Sequence, residues 1–184
     1  MKSELSAKEI DELRTKMEIA LDSYGGLGLS ANQLGIDKRV CLIRVREHNY
    51  FLVNPFITKK NKEGFIFYEG CLSIPKTMET PVRTIRSTKI KVQTDNLGEI
   101  EFEINPDGDK EQVSDETLLT VVVQHEIDHL DGITIRDRAY SETYVKKTDY
   151  GRNEKLVMKS KEGELVEVKA KHANKYFLQG YEIV

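Results

Sequence analysis

Apolar residues recur at two different spacings along this chain, and the changes of spacing divide it into elements. Ile10, Leu13, Met17, Ala20 and Leu21 lie three or four apart, which predicts an amphipathic helix. Ser6-Ala7-Lys8-Glu9 supplies a capping box at its start, in which the Ser hydroxyl and the Glu carboxylate each accept from an amide that the first turn leaves free. Gly25-Gly26 ends it. Residues 26–35 read as a glycine-rich loop closing in a short polar turn. Beyond them come short runs rich in β-branched and aromatic residues, at Val40–Val45, 50–54 and 64–68, which predict strands. Residues 88–94 alternate, and Asn96-Leu97-Gly98 turns them back into 99–104. Residues 105–112 form a charged loop. Helical spacing then returns through Leu118, Val121, Val122 and His125 to Leu130, behind a Ser114 or Asp115 cap, and stops at Asp131-Gly132. In the tail, residues 155–160 and 164–170 flank Lys161-Glu162-Gly163 as a β-hairpin, and 176–183 add one more strand.

Composition narrows the class. A chain of 184 residues suits one domain. With 39% hydrophobic and 32% charged residues it is globular rather than disordered. A net charge of −3 offers no global field for nucleic acid, although the last third is rich in Lys. No run approaches the ~20 apolar residues that span a bilayer, and residues 1–5 carry no signal-peptide apolar region. The expectation is a monomer in the cytoplasm, of a bacterium or an infected host cell, with no membrane partner. Two cysteines, Cys41 and Cys71, build no disulfide framework.

Three segments carry chemistry. Gln124-His125-Glu126-Ile127-Asp128-His129 contains H-E-x-x-H. On a helix, residues four apart share a face, so two imidazoles can hold one metal while the intervening Glu reaches its water. The bland alternative is a helix with two polar His and a solvated acid. A catalytic site of this kind needs a third protein ligand. Cys71, in Glu69-Gly70-Cys71-Leu72-Ser73, is the candidate; Cys41, inside an apolar run, reads as core. The third segment is Gly26-Leu27-Gly28-Leu29-Ser30-Ala31-Asn32-Gln33. Its glycines let backbone approach a ligand, and Gln33 offers an amide for a developing oxyanion or, on the bland reading, a bond to its own turn.

Together these segments resemble the peptide deformylase family, whose pattern of G-Φ-G-Φ-A-A-x-Q, E-G-C-L-S and Q-H-E-x-D-H stands here as G-L-G-L-S-A-N-Q, E-G-C-L-S and Q-H-E-I-D-H in the same order. The resemblance implies an α+β fold, with mixed and antiparallel strands around a central metal-binding helix. Residues 1–137 would form the catalytic body, and 155–184 a β-rich tail. It implies Cys71, His125 and His129 as metal ligands, ferrous iron as the metal with zinc or nickel as substitutes, and Glu126 as general acid/base acting on metal-held water. Gln33 and the Leu72 amide would hold the formyl oxygen, and Gly28 would meet substrate backbone. The implied substrate is the formylmethionyl end of a nascent peptide, and the implied partner contact is a transient one with the ribosome. Leu27, Gly70, Leu118, Val121 and Val122 are candidates for the Met pocket by motif alignment, with ordinary core packing as the alternative for the apolar ones. Arg83 or Arg86 would position peptide, or lie on the surface. Glu69 would orient the Cys71 loop, and His48 and His172 would be exposed.

The chain departs from the family pattern at Ser30, which replaces the first Ala of the pair and would put a hydroxyl beside the substrate. It departs at the 105–112 loop, and in the tail, where strands are expected in place of the long terminal helix by which many bacterial members are thought to dock on the ribosome. Two other functions compete: a generic zinc peptidase that needs no Cys71, and a catalytically silent metal-binding module.

Overall fold

The computed structural model describes residues 2–74, 81–104, 113–139, 151, 153–173, 176 and 179–184. The first helix, α1 (Ala7–Tyr24), begins on the expected box: Ser6 Oγ accepts from the Glu9 amide, and the Glu9 carboxylate accepts from the Ser6 amide at 2.8 Å. It ends on Gly25 at φ +73°, a left-handed turn that glycine adopts without strain.

A three-stranded antiparallel sheet follows, in the order β1 (Gly28–Ser30), β2 (Val40–Val45), β3 (His48–Val53). The central strand β2 is apolar except for Arg44, because both its faces are covered. Val40 and Leu42 pack with Met17 and Leu21 of α1, together with Leu29, Phe51 and Val53. Cys41, Ile43 and Val45 point the other way, into a second cluster with Leu119, Val123 and Ile127 of α2 (Asp115–Leu130). The sheet is thus sandwiched between the two helices.

A second sheet, β4-β7-β8, contributes Ile90, Val92 and Phe102 to the α2 cluster. Its strands are β4 (Phe56–Lys60), β7 (Lys89–Thr94) and β8 (Gly98–Glu103). Between β4 and β7 in sequence lies an antiparallel ribbon of β5 (Gly64–Glu69) and β6 (Val82–Ser87). In the tail β9 (Lys155–Lys159) is flanked by β10 (Leu165–Lys169) and β11 (Glu182–Ile183), around a small core of Leu156, Met158, Val168 and Ala173. The fold is α+β with antiparallel strands, and no helix among the described residues is long and apolar enough to cross a membrane.

The structure departs from the sequence reading at the 26–35 stretch, at β4 and β6, and at β11. The stretch read as a loop contains β1 and a one-turn 3₁₀ helix, Ala31–Leu34. Three residues that include Gly and Ser carry no β pattern of their own; pairing with β2 makes them a strand. Strands β4 and β6 were not expected either, because Lys59, Lys60, Arg83 and Arg86 break their apolar runs. β11 is two residues long, shorter than the expected 176–183 strand. The 105–112 loop lies outside the described residues.

Candidate metal centre

Helix α2 is capped by Ser114, whose Oγ accepts from the Thr117 amide at 3.2 Å. Its 3.6-residue period sorts its side chains into three stripes. Leu119, Val123 and Ile127 face the core. Thr120, Gln124 and Asp128 form a polar stripe: the Gln124 amide exchanges two 3.0 Å bonds with the Ser87 backbone, and Asp128 meets Arg86, so this stripe seats the helix on β6. The third stripe, Leu118, Val122, His125 and His129, faces a cavity of about 550 Å³; of these, His129 is not itself a wall residue.

His129 carries that stripe to the loop that bears Cys71. Its Nε2 lies 3.0 Å from His125 Nε2 and 3.2 Å from Cys71 Sγ, which arrives from the turn after β5. All three donor atoms lie within 4.8 Å of one another. Tetrahedral bonds of ~2.1 Å to nitrogen and ~2.3 Å to sulfur separate donors by roughly 3.4–3.6 Å, so a small expansion admits a metal ion. Protonation points the same way. Burial would raise the Cys71 pKa, but hydrogen bonds from His125 and then His129 bring it down to about 5, so the sulfur is a thiolate. Burial would lower the His125 pKa, but its bonds to Cys71 and Glu69 carry it up to about 10. Thiolate and imidazolium balance each other without a cation, and a metal ion at these atoms would take the place of the imidazolium's extra proton.

Behind the donors stands a chain of ions. His125 Nδ1 donates to Glu69 Oε2 at 2.7 Å, which turns Nε2 toward the thiolate. Arg86 donates to both Glu69 oxygens, at 2.6 and 2.8 Å, and Thr84 donates to Oε1. Burial pushes the Glu69 pKa up, but the bonds from His125 and Arg86 outweigh it and bring it to about 2. The remaining Arg86 nitrogen serves Asp128, which also accepts two bonds from Arg138 at 3.0 and 2.7 Å. Two expectations change here. Glu69 bonds to His125 rather than serving only to orient the Cys71 loop. Arg86 is buried in this network and not at the surface, so it has no donor directed to a peptide. Arg83 is half-buried with its guanidinium 5.6 Å above the Tyr68 ring, and it is not among the cavity's wall residues.

Glu126 is buried beside the donors and lines the cavity. Burial raises its pKa to about 7, against the pull of His125 and His129. Its Oε2 has no hydrogen-bond partner among the described residues. Gln33 also reaches the cavity. Its Oε1 accepts from the Ser30 amide at 2.8 Å and the Ser30 hydroxyl at 2.9 Å, while Nε2 donates to Ser73 at 2.9 Å. The bond to its own turn and the amide turned toward the Cys71 loop therefore coexist. Ser30 is fully buried and not a wall residue, so its hydroxyl does not stand beside a substrate as expected. Leu72 covers Gly26, where a Cβ would stand 2.7 Å from Leu72 Cδ1.

Leu27, Gly28, Gly70, Leu72, Leu118, Val121 and Val122 all line the cavity, and Leu118 and Val122 also pack against the core. Phe67, Tyr68 and Ile74 line it without having been anticipated. For Phe67 a signal existed: it lies two residues before Glu69 on β5, hence on the same face. Asn32, which donates to the His129 carbonyl and ties the 3₁₀ turn to α2, was also missed. His48 and His172 are exposed, and Cys41 is buried in the core.

The family model for polypeptide deformylase matches residues 2–144. The peptide deformylase of Natranaerobius thermophilus is 37% identical over 131 residues, covering 71% of this chain and 76% of the relative. That of Dictyoglomus thermophilum is 35% identical over 136 residues, covering 74% and 80%. Among solved structures, a probable peptide deformylase from Synechococcus phage S-SSM7 superposes with TM-score 0.59 and 36% identity over 74% of this chain and 88% of its own. Thermotoga maritima peptide deformylase superposes with TM-score 0.61 and 29% identity over 76% and 88%.

Proposed function

This chain belongs to the polypeptide deformylase family, metal-dependent hydrolases that remove the formyl group from the N-terminal formylmethionine of nascent polypeptides, and we propose that it does so with Cys71, His125 and His129 holding the metal and Glu126 moving the proton. The observation that carries this reading is the convergence of one thiolate and two imidazole nitrogens, 3.2 and 3.0 Å apart in sequence of contact, next to a cavity that a buried carboxylate also lines. We assign ferrous iron to the site, with zinc or nickel able to replace it; a mixed imidazole and thiolate set suits all three. When bound, the ion supplies Lewis acidity toward the formyl oxygen and an attacking water.

The residues of the chain do the rest. Glu126 takes the proton of the attacking water on a carboxylate oxygen and returns it to the leaving amine. A pKa of about 7 suits both halves of that exchange near neutral pH. Gln33 Nε2 and the Leu72 amide donate to the formyl oxygen as it gains charge; one such donor is typically worth ~3 kcal/mol of the barrier. Leu27, Leu118, Val121 and Val122 take the Met side chain, and Gly28 and Gly70 let peptide backbone come close. Arg83 meets the peptide further along, from its place beside Tyr68. The enzyme works as a monomer whose catalytic body is residues 1–137, in the cytoplasm, and any ribosome contact is transient.

The test is formate release from formyl-Met-Ala-Ser by the iron- or nickel-loaded protein. Absence of formate from metal-loaded, folded protein overturns the reading. A generic zinc peptidase using His125, His129 and a distal third ligand would have no use for a thiolate against His129, and it would survive Cys71→Ser with its metal and peptidase activity intact.

A further inference from the structure

We infer that Arg138 is a positioning residue for His125, acting through Asp128, Arg86 and Glu69; this rests on the metal site proposed above. The links are all hydrogen bonds. Arg138 donates to both Asp128 oxygens, at 3.0 and 2.7 Å. Asp128 accepts from Arg86, Arg86 from its other nitrogens grips Glu69 at 2.6 and 2.8 Å, and Glu69 accepts from His125 Nδ1 at 2.7 Å. Side-chain exposure falls from 39% at Arg138 to 10% at Asp128 and 3% at Arg86 and Glu69. The chain of charges thus runs from solvent to the ligand imidazole, and Arg138 is its one accessible link.

Charge balance explains why the outer link matters. Two carboxylates face two guanidiniums, so the buried group is neutral with Arg138 in place. Without it, Arg86 is the one guanidinium left between two buried carboxylates, and Asp128 Oδ1 loses its donor. An unpaired buried carboxylate is costly, so Asp128 competes for Arg86 and loosens its grip on Glu69. His125 then loses the partner that fixes its ring and tautomer. The fold also holds Arg138 in place. It lies in the turn after α2, and the next residue, Ala139, bridges to the backbone of Thr84, itself a donor to Glu69.

The experiment uses the full chain loaded with zinc and follows transfer of zinc to a chelator. Loss of a residue hydrogen-bonded to a ligand typically costs 10–100-fold in affinity or activity; three links out, Arg138→Ala is expected to release zinc ~3–10-fold faster. Arg138→Lys keeps the charge on Asp128 and should return the rate to within about twofold of the parent. Arg39→Ala breaks another ion pair of α2, with the exposed Asp131 at its end, that does not lead to His125, and should leave the rate unchanged. In the metal-free protein, the downfield Nδ1–H proton resonance of His125 should move in Arg138→Ala and stay in Arg138→Lys. The inference is overturned if Arg138→Ala keeps the parent's rate and resonance, if Lys fails to restore them, or if Arg39→Ala speeds release equally. A parent protein that retains no zinc overturns instead the metal reading of Cys71, His125 and His129, and with it this one.

Discussion

The backbone of Gly28 runs so close to Glu126 that a Cβ built on it would stand 2.6 Å from the carboxylate oxygen Oε1. The same Cβ would meet Val122 Cγ1 at 2.8 Å. Both neighbours stand on α2, and the end of the Glu126 side chain, which borders the cavity, is the part that must give. Gly28→Ala should therefore displace the Glu126 carboxylate and lower turnover by about 10-fold or more, with an overpacking cost of ~1–3 kcal/mol. Metal content should stay near the parent's, because the clash does not touch a donor atom. Gly70→Ala is the contrast: nothing lies within 4 Å of its Cβ position, and its unfolding midpoint should match the parent. Parallel kinetics and urea melts on the two variants check both statements.

Glu126→Gln should retain metal and lose turnover. Gln fills the same volume but cannot accept a proton from water, and general acid–base catalysis is worth at least ~100-fold. Formate release and metal analysis on the same preparation test this; near-normal turnover with metal bound removes Glu126 from the mechanism.

The two cysteines should separate cleanly. Cys71→Ala removes the thiolate from a three-donor set and should lose metal on dialysis. Cys41→Ala should keep it and pay only in packing, on the order of 1 kcal/mol, since Cys41 is sealed in the core with Ile43 and Leu52. Metal loss from the Cys41 variant would invert the assignment.

Acid should weaken the metal-free protein through Glu69. Its pKa falls from 4.5 to about 2 on folding, because bonds from His125 and Arg86 outweigh burial. A depressed carboxylate contributes stability that is present above the unfolded pKa and lost as pH falls through the folded one. The window is therefore between about pH 4.5 and 2, and the contribution is on the order of 3 kcal/mol. Urea unfolding across that range should show a steeper loss in the parent than in Glu69→Gln, and equal slopes would contradict the network described here.

The tail should be dispensable for chemistry. None of the donors lies in it, and β9, β10 and β11 build their own core from Leu156, Met158, Val168 and Ala173. A chain ending at Tyr150 is expected to fold, hold metal and release formate. A folded, metal-loaded but inactive truncation would mean that the tail completes the site.

What the sequence determined by itself is whatever depends on neighbours a few residues away. The Ser6–Glu9 box, the Gly25 stop and the His125–His129 face follow from helical period and cap chemistry, and the alternation of 88–94 follows from the pleat; all of these are local, and all were legible. The motif resemblance added Cys71, although 58 residues separate it from His129. Only the tertiary structure decided the remainder. Glu69 and His125 are 56 residues apart, and Arg86 and Asp128 are 42 apart. Nothing in either segment says that a strand of the β5–β6 ribbon will lie against the polar stripe of α2. Ser30 reads as a loop hydroxyl until β1 pairs with β2 and seals it, and Arg86 reads as a peptide-positioning or surface cation until two buried carboxylates surround it. A buried charge is stable only where its partners converge, and that convergence is a property of packed elements, which no short stretch of sequence contains.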